Sequence, residues 1–153
     1  MSARVAVEEL VYRAALLLDG RRFREFLELC AADFRYSIGA YSPELRKEML
    51  WLEHDKAGLT SLFETLPRHH SDGAPLARHV TVYTVDGLAT GSEAAAVSAL
   101  QVFRTALDGG ATELFAVGKI FDTVRLGAGG ARLARRHIAL DTRLLGIGSH
   151  VPF

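Results

Sequence analysis

The apolar positions along the chain follow a helical rhythm first and an alternating one afterwards. Val7, Leu10, Val11, Ala14, Leu17 and Leu18 recur at three- and four-residue spacing, which predicts an amphipathic helix over residues 3–19. Asp19-Gly20 ends it, with Gly20 expected as a left-handed cap. Phe23, Phe26, Leu27 and Cys30 repeat at i, i+3, i+4 and i+7 and predict a second short helix over 21–31, completing a helical hairpin. Phe34, Tyr36 and Ile38 then alternate with Arg35 and Ser37, as in a strand with one wet face. Residues 45–52, with Met49, Leu50, Trp51 and Leu52, fit either a strand or a helix. Leu59, Leu62, Phe63 and Leu66 predict a helix over 55–66, with Asp55 available as its cap.

Beyond Pro75 the texture turns to β-branched and aromatic residues. Strands are expected over 77–86, 93–106, 112–126 and 131–145. The links Leu107–Ala111, centred on Asp108-Gly109-Gly110, and Gly127–Gly130 are short and glycine-rich. The last three strands therefore read as an antiparallel meander. Strands of ~12–15 residues are longer than usual and imply a twisted, curling sheet. Gly118, in mid-strand, is expected at a bend or bulge. Helices first and antiparallel strands afterwards give an α+β class rather than an alternating one. Helices packed in a curved, mainly antiparallel sheet make a cone. The stretch from Pro67 to Pro75 is too short to be a linker between domains, so residues 1–153 read as a single domain.

Composition narrows the function. Lys plus Arg and Asp plus Glu number 18 each, so the formal net charge is zero and nothing favours nucleic acid as a partner. The low net charge also reduces the electrostatic cost of association. Cys30 is the one cysteine. It cannot form an internal disulfide, cannot build a multi-cysteine zinc or iron–sulfur site by itself, and suits a reducing cytoplasm. No apolar run approaches the ~20 residues of a membrane span, and the acidic Glu8 and Glu9 do not suit a secretory signal.

The ordered marks resemble the beta subunits of aromatic-ring-hydroxylating dioxygenases, the Rieske non-haem iron oxygenases. The resemblance lies in the hairpin LLLDGRRFREFLELCAADFRYSI, the segment MLWLEHD at 49–55, the strand entry Arg78-His79-Val80, and the closing RLARRHIALDTRLLGIGSHVPF. It runs from about residue 7 to 153. The second helix carries Phe26 where that family usually has Trp. The resemblance implies a cystatin-like cone of the nuclear transport factor 2 type. It implies an assembly of three large and three small subunits, with a trimer of this chain inside it. It also implies a large subunit that carries a Rieske 2Fe-2S cluster and a mononuclear iron, and no cofactor in this chain.

Several clusters invite a chemical reading. His69, His70 and Asp72 have the types of a facial iron triad, yet adjacent histidines diverge, and a polar loop is the plainer account. A stand-alone cone enzyme (an isomerase, dehydratase or cyclase acting on a small hydrophobic molecule) is the alternative. It would draw on Tyr12, Tyr36, Asp33, Asp122 and Asp141, or on His79 or His137 as base, with Asp122 and Asp141 on neighbouring strands. His137 is expected on one face with Leu133, Ala139, Asp141 and Arg143. Cys30, on an apolar face, reads as packing. Arg132, Arg135, Arg136, Asp141 and Arg143 make the last strand the richest in charge, as either a solvated face or an interface. The apolar end, Leu144 to Phe153, reads as a docking tail. The candidate interface residues are Trp51, Arg78, Arg135, Asp141, Arg143, Leu145 and Phe153. No residue of this chain is assigned to catalysis, cofactor or metal.

Overall fold

The structure is a computed structural model that describes residues 2–65, 73–142 and 153. Helix α1 runs Ala3–Asp19, as the spacing predicts, with Ser2 capping the Val5 amide at 3.2 Å. Its end differs from expectation. Gly20 keeps φ at −79°, and Arg21 takes the left-handed turn at φ 55°. The amides of Arg21 and Arg22 reach back to the carbonyls of Leu18 and Leu17, a Schellman closure. The helix runs one residue further than Gly20 would allow as the turning residue, so the turn falls on Arg21.

Helix α2 is shorter than its apolar pattern, Phe23–Glu28. Cys30 already begins strand β1, Cys30–Ser42, because it pairs with Leu133 far along the chain. The ambiguous segment is strand β2, Lys47–Asp55, an edge strand held by β1. Helix α3 follows, Lys56–Thr65, and Asp55 caps it by accepting the Gly58 amide at 2.7 Å. Then come β3, Leu76–Asp86, a short 3-10 turn at Leu88–Thr90, β4, Glu93–Thr105, β5, Thr112–Gly127, and β6, Gly130–Leu140.

The six strands form one sheet in the order β2-β1-β6-β5-β4-β3. All neighbours are antiparallel except β1 and β6. The meander therefore spans four strands, and the N-terminal hairpin joins it through a parallel seam. Val7, Leu10, Ala14, Leu17 and Leu18 of α1, Phe26 of α2, and Leu59 and Phe63 of α3 share one core with Phe34, Ile38, Leu100, Val102, Ile120, Leu133 and Ile138 of the sheet. Phe26 meets Phe34 and Phe63 edge-on, at 6.4 and 6.3 Å between ring centres.

Gly118 does not mark a bulge. It sits opposite Leu140 in regular register, where β6 approaches so closely that no side chain fits. The irregularities lie elsewhere: Phe115 is an extra residue in β5, and in β6 Thr123 faces Arg135 and Val124 faces Leu133, so Ala134 is an extra residue there. That residue swaps the strand's faces. Leu133 and Arg136 both point to the core, and His137 lies on the opposite face from Leu133, contrary to the simple alternation.

Candidate functional site

The sheet has two faces, and each gathers polar residues that the local sequence does not place together. Inside the cone, Asp122 and Arg136 stand directly opposite each other on β5 and β6. Their side chains are 0% and 2% exposed and form a fork: Nε to Oδ1 at 2.8 Å, Nη2 to Oδ2 at 2.9 Å. Burial works against the Arg136 cation, and the charge and hydrogen bonds of Asp122 outweigh it, so its pKa rises. A second pair ties α1 to β3. Arg78 Nη1 and the Arg78 amide both donate to Asp19 Oδ1, at 2.9 and 3.0 Å. Desolvation lowers the Arg78 pKa, and Asp19 partly restores it. Val82 donates its amide to the Tyr12 hydroxyl at 3.2 Å, so two amides of edge strand β3 are covered by α1.

Tyr36 lies fully buried between these pairs, and its hydroxyl accepts the Phe153 amide at 3.0 Å. Burial pushes its pKa up to about 12. Burial likewise pushes the Cys30 thiol up to about 12, and its Sγ–H donates to the Phe26 carbonyl at 3.5 Å. Cys30 is thus a packed, protonated thiol, unfit as a nucleophile or thiolate ligand. Both groups ionise more easily unfolded, at their ordinary values of 9.0 and 10.0, than folded. Above those values the unfolded chain binds fewer protons than the folded one, so stability falls as pH rises. Urea unfolding is expected to be steady up to about pH 9 and to weaken progressively from there to about pH 12. Cys30→Ala should flatten the lower part of that decline. A stability constant over the whole range would refute both assignments.

The constellation of the alternative, cone-enzyme reading does not assemble inside the cone, although His79 and Asp141 line one open groove. Asp122 is locked to Arg136. Asp141 is exposed, and its amide is bonded to the Val117 carbonyl at 2.8 Å. Asp33 is exposed and forked by Arg125 at 2.8 and 3.2 Å. His79 is exposed and leans on Phe103, ring centres 4.8 Å apart. Among the described residues no group of three His, Cys, Asp or Glu is placed to hold a metal ion. His69, His70 and Asp72 lie outside the described residues.

On the opposite face, His137 bridges three strands. Its Nδ1 is 2.7 Å from Ser37 Oγ on β1, and its Nε2 is 2.5 Å from Glu48 Oε1 on β2. No local sequence signal points to this trio, because it depends on the parallel β1–β6 seam and on the Ala134 bulge. The trio also lacks what a Ser-His-Glu nucleophile needs: β1 is paired on both sides, so the amides beside Ser37 are used in the ladder and form no oxyanion hole. Its effect is to tie edge strand β2 to the sheet centre.

The candidate interface residues divide. Trp51, Arg135 and Asp141 are exposed, Trp51 at 39% and close in sequence to Met49 and Leu50, also exposed. Arg78 is buried at 6% and Phe153 at 1%. What covers the Phe153 ring is this chain's own core, not an outside surface. Arg143 and Leu145 lie outside the described residues. The charged strand resolves residue by residue: Arg136 is interior, Arg135 is exposed, and Arg132 donates to the Glu28 carbonyl.

With this geometry in place, comparison with known proteins is decisive. The family model of the SnoaL-like domain matches residues 1–137. The beta subunit of the methanesulfonate monooxygenase hydroxylase of Methylosulfonomonas methylovora is 43% identical over 154 residues, covering 96% of this chain and 85% of that protein. The chain belongs to the SnoaL-like family, among the beta subunits of hydroxylating oxygenases. The beta subunit of the 2-aminobenzenesulfonate 2,3-dioxygenase of an Alcaligenes species is 35% identical, covering 97% of both chains. A structure assigned as the beta subunit of an aromatic-ring-hydroxylating dioxygenase of Novosphingobium aromaticivorans superposes with a TM-score of 0.80. It covers 99% of this chain and 97% of that one, at 22% identity, and so shows the same fold. The resemblance read from the helical hairpin and the strand marks therefore holds, and the cone is the nuclear transport factor 2-like, cystatin-like fold.

Proposed function

We propose that this chain is the structural small subunit of an oxygenase whose large subunit carries the Rieske 2Fe-2S cluster and the mononuclear iron. The observation that carries this is identity of 43% and 35% to two oxygenase beta subunits over nearly the whole chain. Among the described residues no three His, Cys, Asp or Glu lie together to hold the mononuclear iron. A Rieske centre needs two Cys and two His, and the single Cys30 is buried and protonated. When bound in the partner, those groups supply electrons and oxygen activation. This chain holds and orients that partner, within a trimer of small subunits in a three-plus-three cytoplasmic assembly. No helix among the described residues is long and apolar enough to cross a membrane. Both relatives are named for a sulfonate, one aliphatic and one aromatic, so the substrate class proposed for the complex is an organosulfonate.

The test is co-expression with the large subunit. Equimolar co-elution, with iron absent from the small chain alone, supports the reading. A small chain that stays apart, or that turns over substrate by itself, refutes it. Trp51, with Arg135 and Asp141 on the exposed surface, is the first interface residue to probe. Trp51→Ala is expected to leave the melting temperature nearly unchanged and to weaken association by about 30-fold, since an interfacial Trp typically contributes about 2 kcal/mol. Undiminished binding by titration calorimetry would remove Trp51 from the interface.

A further inference from the structure

Helices α2 and α3 face each other across an open groove of about 560 Å³. Its aromatic wall is a stack of two rings. Phe63, anchored in the core, lies parallel to Phe23, with ring centres 4.3 Å and planes 5° apart. The Arg21 guanidinium sits over the Phe23 ring, 5.7 Å from its centre. Stacking uses the flat face of a guanidinium and leaves its N–H fork free. Arg21 also holds the left-handed turn at φ 55°, a conformation that glycine adopts without strain. The neighbouring Gly20 stays at φ −79°, so the turn seats an arginine where the backbone favours a glycine. Charge around the groove is unbalanced. Arg22 is committed to Glu25, Nε to Oε1 at 2.8 Å and Nη2 to Oε2 at 2.5 Å. Among the described residues, the side chains of Arg21, Arg24 and Glu64 make no hydrogen bond or ion pair, which leaves two cations against one carboxylate.

We propose that this groove binds a small organic oxoanion, with its charged head on Arg21 and Arg24 and its apolar body against Phe23, Leu27 and Phe63. The lining names the class. A guanidinium fork matches a planar oxoanion with two parallel hydrogen bonds, and a second free arginine adds to the attraction. The phenylalanines and Leu27 favour a carbon body over a bare inorganic ion. Glu64, on the same groove, disfavours a second negative charge on the ligand. Arg21 is held in place before the ligand arrives, by its turn and by the ring beneath it, so less freedom is lost on binding. The site goes beyond the oxygenase reading and does not depend on it.

The experiment titrates benzoate and acetate into the full-length chain at low salt, following the arginine Nε–H and backbone amide NMR signals. Benzoate is expected to bind at about 1 mM and to shift the Arg21 and Arg24 signals, with acetate roughly 10-fold weaker for want of an apolar body. Arg21→Gly is expected to weaken benzoate binding by roughly 10-fold or more. Its melting temperature should stay within about 3 °C of the native value, since relief of the left-handed strain offsets the freedom that glycine gives the unfolded chain. Arg24→Gln should weaken binding by roughly 3- to 10-fold, and Glu64→Gln should tighten it by roughly 2-fold. Arg13→Gln, which does not line the groove, is the control and should change nothing. Benzoate that binds Arg21→Gly as tightly as the native chain, acetate that binds as tightly as benzoate, or no shift at either arginine overturns the proposal. Should Arg21→Gly not fold, Arg24→Gln decides, because Arg24 lies outside the turn; undiminished binding by that variant overturns the site.

Discussion

Asp122→Ala is expected to destabilise the chain by about 3–5 kcal/mol, because it leaves the Arg136 guanidinium buried without its counter-charge. For a domain of this size that corresponds to a melting point lower by roughly 6–20 °C. Removing both partners has a different expected outcome. Asp122→Leu combined with Arg136→Met replaces the pair by apolar groups of similar length, and is expected to recover most of the lost stability. Urea unfolding of the two single variants and the double one separates the outcomes. A single variant within about 1 kcal/mol of the native chain would mean that the fork contributes little, and that the cone interior tolerates a free charge. The result bears on function as well as on stability. A carboxylate held bidentately by an arginine is a poor proton acceptor. Among the described residues, Asp122 is thereby committed to Arg136 and is not free to serve as the base that an isomerase or dehydratase reading requires.

How much of this is legible in the sequence depends on the range of the contacts involved. Helix α1 is readable because its pattern is local: Val7 to Leu18 repeats often enough to fix both ends to within a residue. The meander is readable because glycine-rich links at 107–111 and 127–130 force neighbouring strands together. Cys30 reads as helical because its spacing from Phe23 suits a helix. Its true partner, Leu133, is a hundred residues away and leaves no local trace. Residues 45–52 are ambiguous for the same reason, since only the register with β1 makes them a strand. The single extra residue at Ala134 has the widest effect. It carries Arg136 into the core and moves His137 to the opposite face from Leu133, where it meets Ser37 and Glu48. A period-two reading of the strand cannot see a bulge, so the sequence alone leaves both of the sheet's most structured polar groups among open alternatives. The Phe153 ring reads as surface because terminal apolar residues usually need an outside cover. Here Phe115 meets the ring edge-on from within, and Tyr36 holds the Phe153 amide.

Gly118 carries the second large effect. A Cβ there would overlap the Ala139 carbonyl oxygen and stand 2.9 Å from Leu140 Cα. Both are backbone atoms of the paired strand, so neither can swing aside as a flexible side chain would. Gly118→Ala must therefore push β6 away from β5 at the point where Val117 is held by both its amide and its carbonyl. The Val117 amide donates to Thr142 Oγ1 at 2.9 Å, and the Val117 carbonyl accepts the Asp141 amide at 2.8 Å. The expected cost is about 3 kcal/mol, the upper end for overpacking, because strain and lost hydrogen bonds add. Gly118→Val should cost more, since its branches meet the same wall. Gly109→Ala is the matched control: nothing lies within 4 Å of its Cβ, and its change should stay within about 0.5 kcal/mol. Urea unfolding of the three variants would decide. A Gly118→Ala chain as stable as Gly109→Ala would mean that the strands do not approach as closely as described. Because β6 also carries Arg136 against Asp122, a displaced β6 should weaken the coupling measured in the Asp122 and Arg136 cycle when it is repeated in the Gly118→Ala background. That loss of coupling would tie the close strand contact to the buried ion pair.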